Sequence, residues 1–340
     1  MRLGVIDLGT NSLRFSFWDY GSSGKAQEPR GRPTLLHRKK TMILPGQEVF
    51  ANGDIPSRSV KRIVKSLKNF ELQARSLKTE SVIAYATCAM REARNNHQVL
   101  EIIRRQTQVP LLVISGQREA ELIAQGVLRA EPRLRGRRLL IDIGGGSTEL
   151  SLINHRKVLR SCSLPLGAQR LYQLFPDLMH GHVSEMRWDK TLEVRQYIQK
   201  VLHSRLKRWP HAEAKQALGS SGTIRCLGRL IMKKKAAEIS KQAWIREVNE
   251  PTKKNLKYSL KELARLNISL FFLTETQLES LTGVEPARRP LLLHGSLLLE
   301  EILRYFQMDQ ITCTEGSLRD GILYEFEKGH LHPSKMVLVG

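Results

Sequence analysis

Val5-Ile6-Asp7-Leu8-Gly9-Thr10-Asn11-Ser12, near the start of the chain, and Leu140-Ile141-Asp142-Ile143-Gly144-Gly145-Gly146-Ser147, in its middle, follow one pattern. Each runs two apolar residues, Asp, an apolar residue, Gly, two turn-forming residues and Ser. Each copy predicts a β-hairpin, because the apolar run stops at the Asp, a turn follows, and alternation resumes in Leu13-Phe15-Phe17 and in Leu150-Leu152. Two copies in tandem predict two related α/β domains with a cleft between them.

The turns carry the chemistry. Gly9 and Gly144, Gly145 and Gly146 permit positive φ and close approach, so successive N–H groups can form a concave nest for phosphate oxygens. Thr10, Asn11, Ser12 and Ser147 add polar groups to the two nests. The Asp at each strand end, Asp7 and Asp142, suits Mg²⁺ rather than an anion, since a hard cation takes carboxylate and water oxygens. An ordinary hairpin with a Gly turn explains either copy alone; repetition of Asp, Gly and Ser at equal offsets is what favours a site.

From Met1 to about Ala130 the order reads as a strand hairpin, a basic loop, a helix from about Ser57 to Leu77, a strand from Ser81 to Tyr85, a helix, a strand from Leu111 to Ile114 and a helix. Glu131-Pro132-Arg133-Leu134-Arg135-Gly136 reads as the link, giving domains over 1–130 and 131–340. Beyond it the chain is more helical: an amphipathic stretch over Thr191 to Arg208, a strand into Gly219-Ser220-Ser221-Gly222-Thr223, and long basic helical segments to about Lys261. A buried helix from Pro290 to Leu303, a strand from Gln310 to Thr314 and a terminal helix over about 317–330, placed to pack back on the first domain, complete the reading.

The 340 residues carry a formal net charge of +22, which points to anionic partners. Basic clusters at His37-Arg38-Lys39-Lys40, Arg133 to Arg138, Lys233-Lys234-Lys235 and Lys253-Lys254 each read singly as solvated faces or loops. No apolar run approaches the roughly 20 residues of a membrane span, and no secretory signal opens the chain. Cys88, Cys162, Cys226 and Cys313 are scattered without a CxxC pair, as expected of reduced thiols in the cytoplasm. Zinc spacing, HExxH, an RNA-recognition consensus and a GxxxxGK[ST] loop are all missing, so no specific nucleic-acid site is expected. His97, His155, His203 and His294 show no partner spacing.

Several further stretches carry a resemblance. Asp7 to Ser12, Ala86-Thr87-Cys88-Ala89-Met90-Arg91-Glu92-Ala93-Arg94-Asn95, Ile114-Ser115-Gly116-Gln117-Arg118-Glu119-Ala120, Ile141 to Leu150, Ser163 to Ala168, Ser221-Gly222-Thr223-Ile224 and Gly316 to Leu323 occur in the order of one family. In these motifs, over nearly its whole length, the chain resembles the exopolyphosphatase and guanosine pentaphosphate phosphohydrolase family. That family has the duplicated, ribonuclease H-like fold of actin, the heat-shock ATPases and the sugar kinases, and the match is to its short two-domain form.

The resemblance implies hydrolysis of a terminal phosphoanhydride of inorganic polyphosphate with Mg²⁺, or Mn²⁺ in its place. Guanosine pentaphosphate is the alternative substrate, and a homodimer is a further implication. An ATP-dependent kinase of the same superfamily and a non-catalytic polyphosphate or alarmone sensor are the rivals. From the residues alone, Glu119 reads as closing a helix cap and Arg91 as an exposed helical Arg. The resemblance places the family's catalytic glutamate at Glu119, as a general base that a raised pKa would help, and a phosphate-binding guanidinium at Arg91. It makes Asp142 and Glu149 the foremost Mg²⁺ ligands, with Asp7 a weaker one, although Glu149 reads equally as an outward strand residue. Ser221, Gly222 and Thr223 match the family's third Gly turn, or form a plain strand-to-helix turn with capping hydroxyls. Where the family carries two consecutive acids, this chain has Arg118-Glu119.

Overall fold

The computed structural model describes residues 1–21, 33–178, 185–209, 214, 216–240 and 256–335. The chain forms two compact units, Met1–Arg129 together with Leu318–Gly340, and Ala130–Ser317. Lys253-Lys254 and the side chain of Lys235 lie outside the described residues.

In the first unit the chain runs β1 (Arg2–Leu8), β2 (Ser12–Asp19), β3 (Thr34–Met42), α1 (Pro45–Asn52), α2 (Ser57–Ser76), β4 (Ser81–Ala86), α3 (Cys88–Glu92), α4 (Asn96–Gln106), β5 (Leu111–Val113) and α5 (Gly116–Ala130). The second unit holds β6 (Arg137–Ile143), β7 (Thr148–Asn154), β8 (Lys157–Leu164), α6 (Ala168–Leu174), α7 (Glu185–Arg205), β9 (Ala217–Gly219), α8 (Gly222–Ser240), β10 (Lys257–Ser259), α9 (Leu260–Phe271), α10 (Glu275–Glu279), α11 (Leu292–Tyr305) and β11 (Gln310–Cys313). The chain then returns to the first unit with α12 (Leu318–Glu327) and β12 (Ser334–Lys335).

The duplication expected from the hairpins is present in the sheets. The first sheet orders β12-β4-β1-β2-β3, with β5 beside β4; the second orders β10-β11-β9-β6-β7-β8. In each, an antiparallel meander of three strands is joined, through its first strand, to a parallel strand, β4 beside β1 and β9 beside β6.

One expectation fails at the edge of the first sheet. His37-Arg38-Lys39-Lys40 is not a loop but the middle of β3, paired residue for residue with β2. An edge strand exposes its residues and tolerates lysine, so it shows no apolar alternation to read. The basic helix expected up to Lys261 also breaks: Lys257–Ser259 is a strand, and α9 begins at Leu260 behind a Ser259/Glu262 capping box.

Packing follows the periodicity. On α2, Val60, Ile63, Val64, Leu67, Phe70 and Ala74 recur at helical spacing and are buried against the sheet. There Phe17 stacks on Phe70 at 4.8 Å. Gly4 makes this possible, since a Cβ on it would stand 2.6 Å from the Phe70 ring. Each such side chain contributes about 1.5–3 kcal/mol on burial. In the second unit α11 is buried from Leu292 to Leu303. Its two carboxylates are held from neighbouring helices: Arg195 and Asn267 donate to Glu300 at 2.7 and 2.6 Å, and Gln199 to Glu301 at 2.8 Å. Among the described residues no helix is long and apolar enough to cross a membrane.

Candidate active site

Both repeated hairpins close with the same bond. Gly9 N donates to Ser12 O at 3.0 Å, and Gly144 N to Ser147 O at 2.9 Å, leaving two residues at each tip. The tip carbonyls are tied down from behind. Thr10 O accepts from Gly46 N, and Asn11 O from the amides of Ile43 and Leu44. Gly144 O accepts from Ala168 N, Gly145 O from the amides of Gln169 and Arg170, and Gly146 O from the Arg170 guanidinium at 2.7 Å.

The amides of Thr10 and Asn11, and of Gly145, Gly146 and Ser147, donate to nothing among the described residues. Carbonyls restrained and amides left over are what an anion nest requires. The Asn11 side chain also has unused capacity, its Oδ1 being buried without a partner.

The glycines serve this arrangement by closeness, not by handedness. Positive φ among the described glycines falls at Gly21, Gly53, Gly136, Gly283 and Gly329, not in either tip, which corrects that part of the sequence expectation. The critical glycines stand behind the tips instead. A Cβ on Gly46 would collide with Thr10, and one on Gly167 would collide with the backbone of Gly145 and Gly146. Leu44, held at φ 60°, turns the chain so that its amide reaches Asn11.

Charge separates the hairpins. Asp7 lies opposite Arg14 in the ladder and its carboxylate sits 3.5 Å from that guanidinium. Arg319, from α12, adds a half-buried guanidinium whose Nε has no partner; burial holds its pKa below the ordinary arginine value, and the Asp7 charge offsets this only in part. In the second hairpin the equivalent pair is Asp142 opposite Glu149, two carboxylates on one face. Ser220 Oγ donates to Asp142, and Ser163 Oγ donates to Glu149 at 2.8 Å. Glu149 is buried, so the outward strand reading does not hold.

Arg91 and Glu119 meet in the first unit. Arg91, on the short helix α3 after β4, donates from Nη1 to Glu119 at 3.2 Å and to Ile114 O at 2.9 Å. Glu119 is buried in the first turn of α5, and the Ser115 hydroxyl accepts from Arg118 N at 3.1 Å. Arg118 bridges instead to Glu325 of α12 at 3.0 Å, a contact its sequence neighbourhood does not signal. At the third Gly turn, Ser221 Oγ accepts from Ile224 N at 3.0 Å and so caps α8, Gly222 begins that helix beside the Arg288 guanidinium, and Thr223 packs on Gly295. Sequence reasoning gave no role to Arg14, Arg319, Gly46 or Gly167, although Gly167 and Arg319 stand within the Ser163 to Ala168 and Gly316 to Leu323 motifs.

The profile of the Ppx/GppA phosphatase family matches residues 25–330. Exopolyphosphatase 1 of Mycobacterium tuberculosis is 27% identical over 326 residues, covering 95% of this chain and 87% of that protein. Exopolyphosphatase 1 of Mycobacterium leprae is 28% identical over the same length, covering 95% and 88%. The crystal structure of an exopolyphosphatase from Cytophaga hutchinsonii superposes with a TM-score of 0.80 at 27% identity, covering 97% of this chain and 98% of that one.

Proposed function

Since the chain belongs to the Ppx/GppA phosphatase family and is a phosphoanhydride hydrolase, we propose that it removes the terminal phosphate of inorganic polyphosphate. The observation that carries the reading is the buried Glu119 carboxylate held 3.2 Å from Arg91. Hydrolysis needs a group to take the proton of the attacking water and positive charge on the transferring phosphoryl oxygens. Glu119 takes the proton as the water oxygen bonds to the terminal phosphorus and the bridging oxygen departs with the shortened chain. Arg91 fixes the carboxylate with one nitrogen and keeps further donors of its planar fork for a phosphoryl oxygen. The tip amides of Thr10 and Asn11 and of Gly145, Gly146 and Ser147 take phosphate oxygens, with Arg14 and Arg319 adding charge at the first hairpin.

Asp142 and Glu149 are the residues that would hold Mg²⁺. No cluster of three or more metal-ligating side chains occurs among the described residues. A pair of carboxylates on one face nevertheless fits an ion that keeps several waters and binds through one or two carboxylates plus substrate phosphates. Bound there, Mg²⁺ offsets charge on the phosphoryl oxygens. Asp7, already paired with Arg14, fits a cation less well.

The names of the relatives and the net charge of +22 support polyphosphate over guanosine pentaphosphate. The free thiols Cys88, Cys162, Cys226 and Cys313 support a cytoplasmic setting; a homodimer belongs to the same reading and is checked by mass in solution.

The test is phosphate release from long polyphosphate, tripolyphosphate, guanosine pentaphosphate and ATP with Mg²⁺. Glu119→Gln is expected to slow polyphosphate turnover about 10²–10⁴-fold with folding unchanged. Parental rates in that variant overturn the base; preference for guanosine pentaphosphate overturns the substrate.

A further inference from the structure

Helix α2 shows the sheet one face and solvent the other, and the outer face is cationic. Lys61, Arg62, Lys65 and Lys68 are exposed and make no ion pair among the described residues. Lys61, Lys65 and Lys68 follow at intervals of four and three, so they stack along one side of the helix, about 4.5–6 Å apart along its axis. That side borders a hollow of about 520 Å³, lined by Lys61, Val64, Lys65, Lys68, Asn69, Leu72 and, from the end of α4, Gln106. No carboxylate lines it. The acidic groups on these two helices are Glu101, which pairs with Arg104 and Arg105 at 2.8 and 2.6 Å, and Glu71, which accepts from the amide of Gln108.

We propose that this hollow is a holding site for the distal part of a polyphosphate chain, the part not being hydrolysed; the proposal rests on the polyphosphate reading above. Three aligned ammonium groups with no carboxylate among the lining residues complement a linear anion with a charge on every phosphate. The hollow also lies on a helix that packs on the sheet face opposite Asp7. Helix α2 packs through Phe70 on Phe15 and Phe17, which lie on the opposite face of the sheet from Asp7 and Arg14. Only a chain long enough to occupy the hollow and the reacting end together gains from it, so the lysines set a chain-length preference and leave the chemistry alone.

The experiment compares the parent with Lys61→Gln/Lys65→Gln/Lys68→Gln on long polyphosphate and on tripolyphosphate. Expected is a KM for the long substrate raised at least fivefold with kcat within twofold, and unchanged constants on tripolyphosphate. Binding of long polyphosphate to Glu119→Gln, with and without the lysine changes, reads the site without turnover. Its salt dependence is expected to flatten by up to three counterions. An unchanged KM on the long substrate, or an equal loss on both substrates, overturns the holding site. So does lysine-dependent binding of single-stranded or duplex nucleic acid with polyphosphate binding unaltered. If the parent releases no phosphate from polyphosphate while Glu119→Gln still binds it through these lysines, the proposed substrate fails and the anion site stands.

Discussion

The β1–β2 and β6–β7 hairpins have the same closing bond, and both restrain tip carbonyls and leave tip amides spare, yet they differ in the charge beside the tip. Asp7 faces Arg14, while Asp142 faces Glu149 across the equivalent ladder position. A fold duplicated in backbone has thus been divided in chemistry by one residue on the second strand of each hairpin. The backbone arrangement supplies phosphate-binding amides twice; the side chain opposite the Asp decides whether the neighbourhood favours a further anion or a cation.

Three measurements bear on that contrast. Asp142→Asn with Glu149→Gln is expected to lower Mg²⁺-supported phosphate release at least about 100-fold, at or beyond what removing the partners of metal ligands does. Asp7→Asn is expected to cost less and to leave the Mg²⁺ concentration for half-maximal rate unchanged. Equal shifts in that concentration would make the hairpins chemically alike.

Next in size is the support behind the tips. Gly167→Ala drives a methyl into the backbone of Gly145 and Gly146 and is expected to cost about 1–3 kcal/mol in denaturant unfolding. Gly46→Ala meets chiefly the Thr10 methyl, which can move, and falls at the low end of that range. A reversed order would mean that the second tip yields more easily than its packing shows.

The smallest effect reads the charge itself. Burial, and then the Glu149 carboxylate, pushes the Cys162 thiol up to about 12, so alkylation near neutral pH is slow. Glu149→Gln removes a negative neighbour, lowers that pKa and speeds alkylation, by less than about tenfold, or one pKa unit. Saturating Mg²⁺ added to the parent has the same sign if the ion binds at this hairpin; no change on adding Mg²⁺ argues against that placement.

The repeat made much of this legible. Asp, Gly and Ser at equal offsets expose the duplication, and alternation exposes β1, β2, β6 and β7, because those strands are buried and their pattern is enforced by packing. β3 was hidden because an edge strand has no buried face to mark it, and cations occupy both of its sides. The pairing of Arg91 with Glu119 spans 28 residues, and that of Arg118 with Glu325 spans 207; contacts at such separation leave no local periodicity. Gly46 and Gly167 were hidden for another reason. Their role depends on the clearance behind a turn, which the identity of a glycine does not reveal.

The return of α12 to the first unit has a consequence for biosynthesis. Gly321 lies so close on the carbonyl of Leu122 that no side chain fits between them, and Glu325 is the acceptor for Arg118, one residue before Glu119. A nascent chain therefore makes all of its second unit before its first is whole, because the segment that clamps α5 follows that second unit in sequence. The half of the enzyme translated earliest waits for α12 before the turn carrying Glu119 is secured.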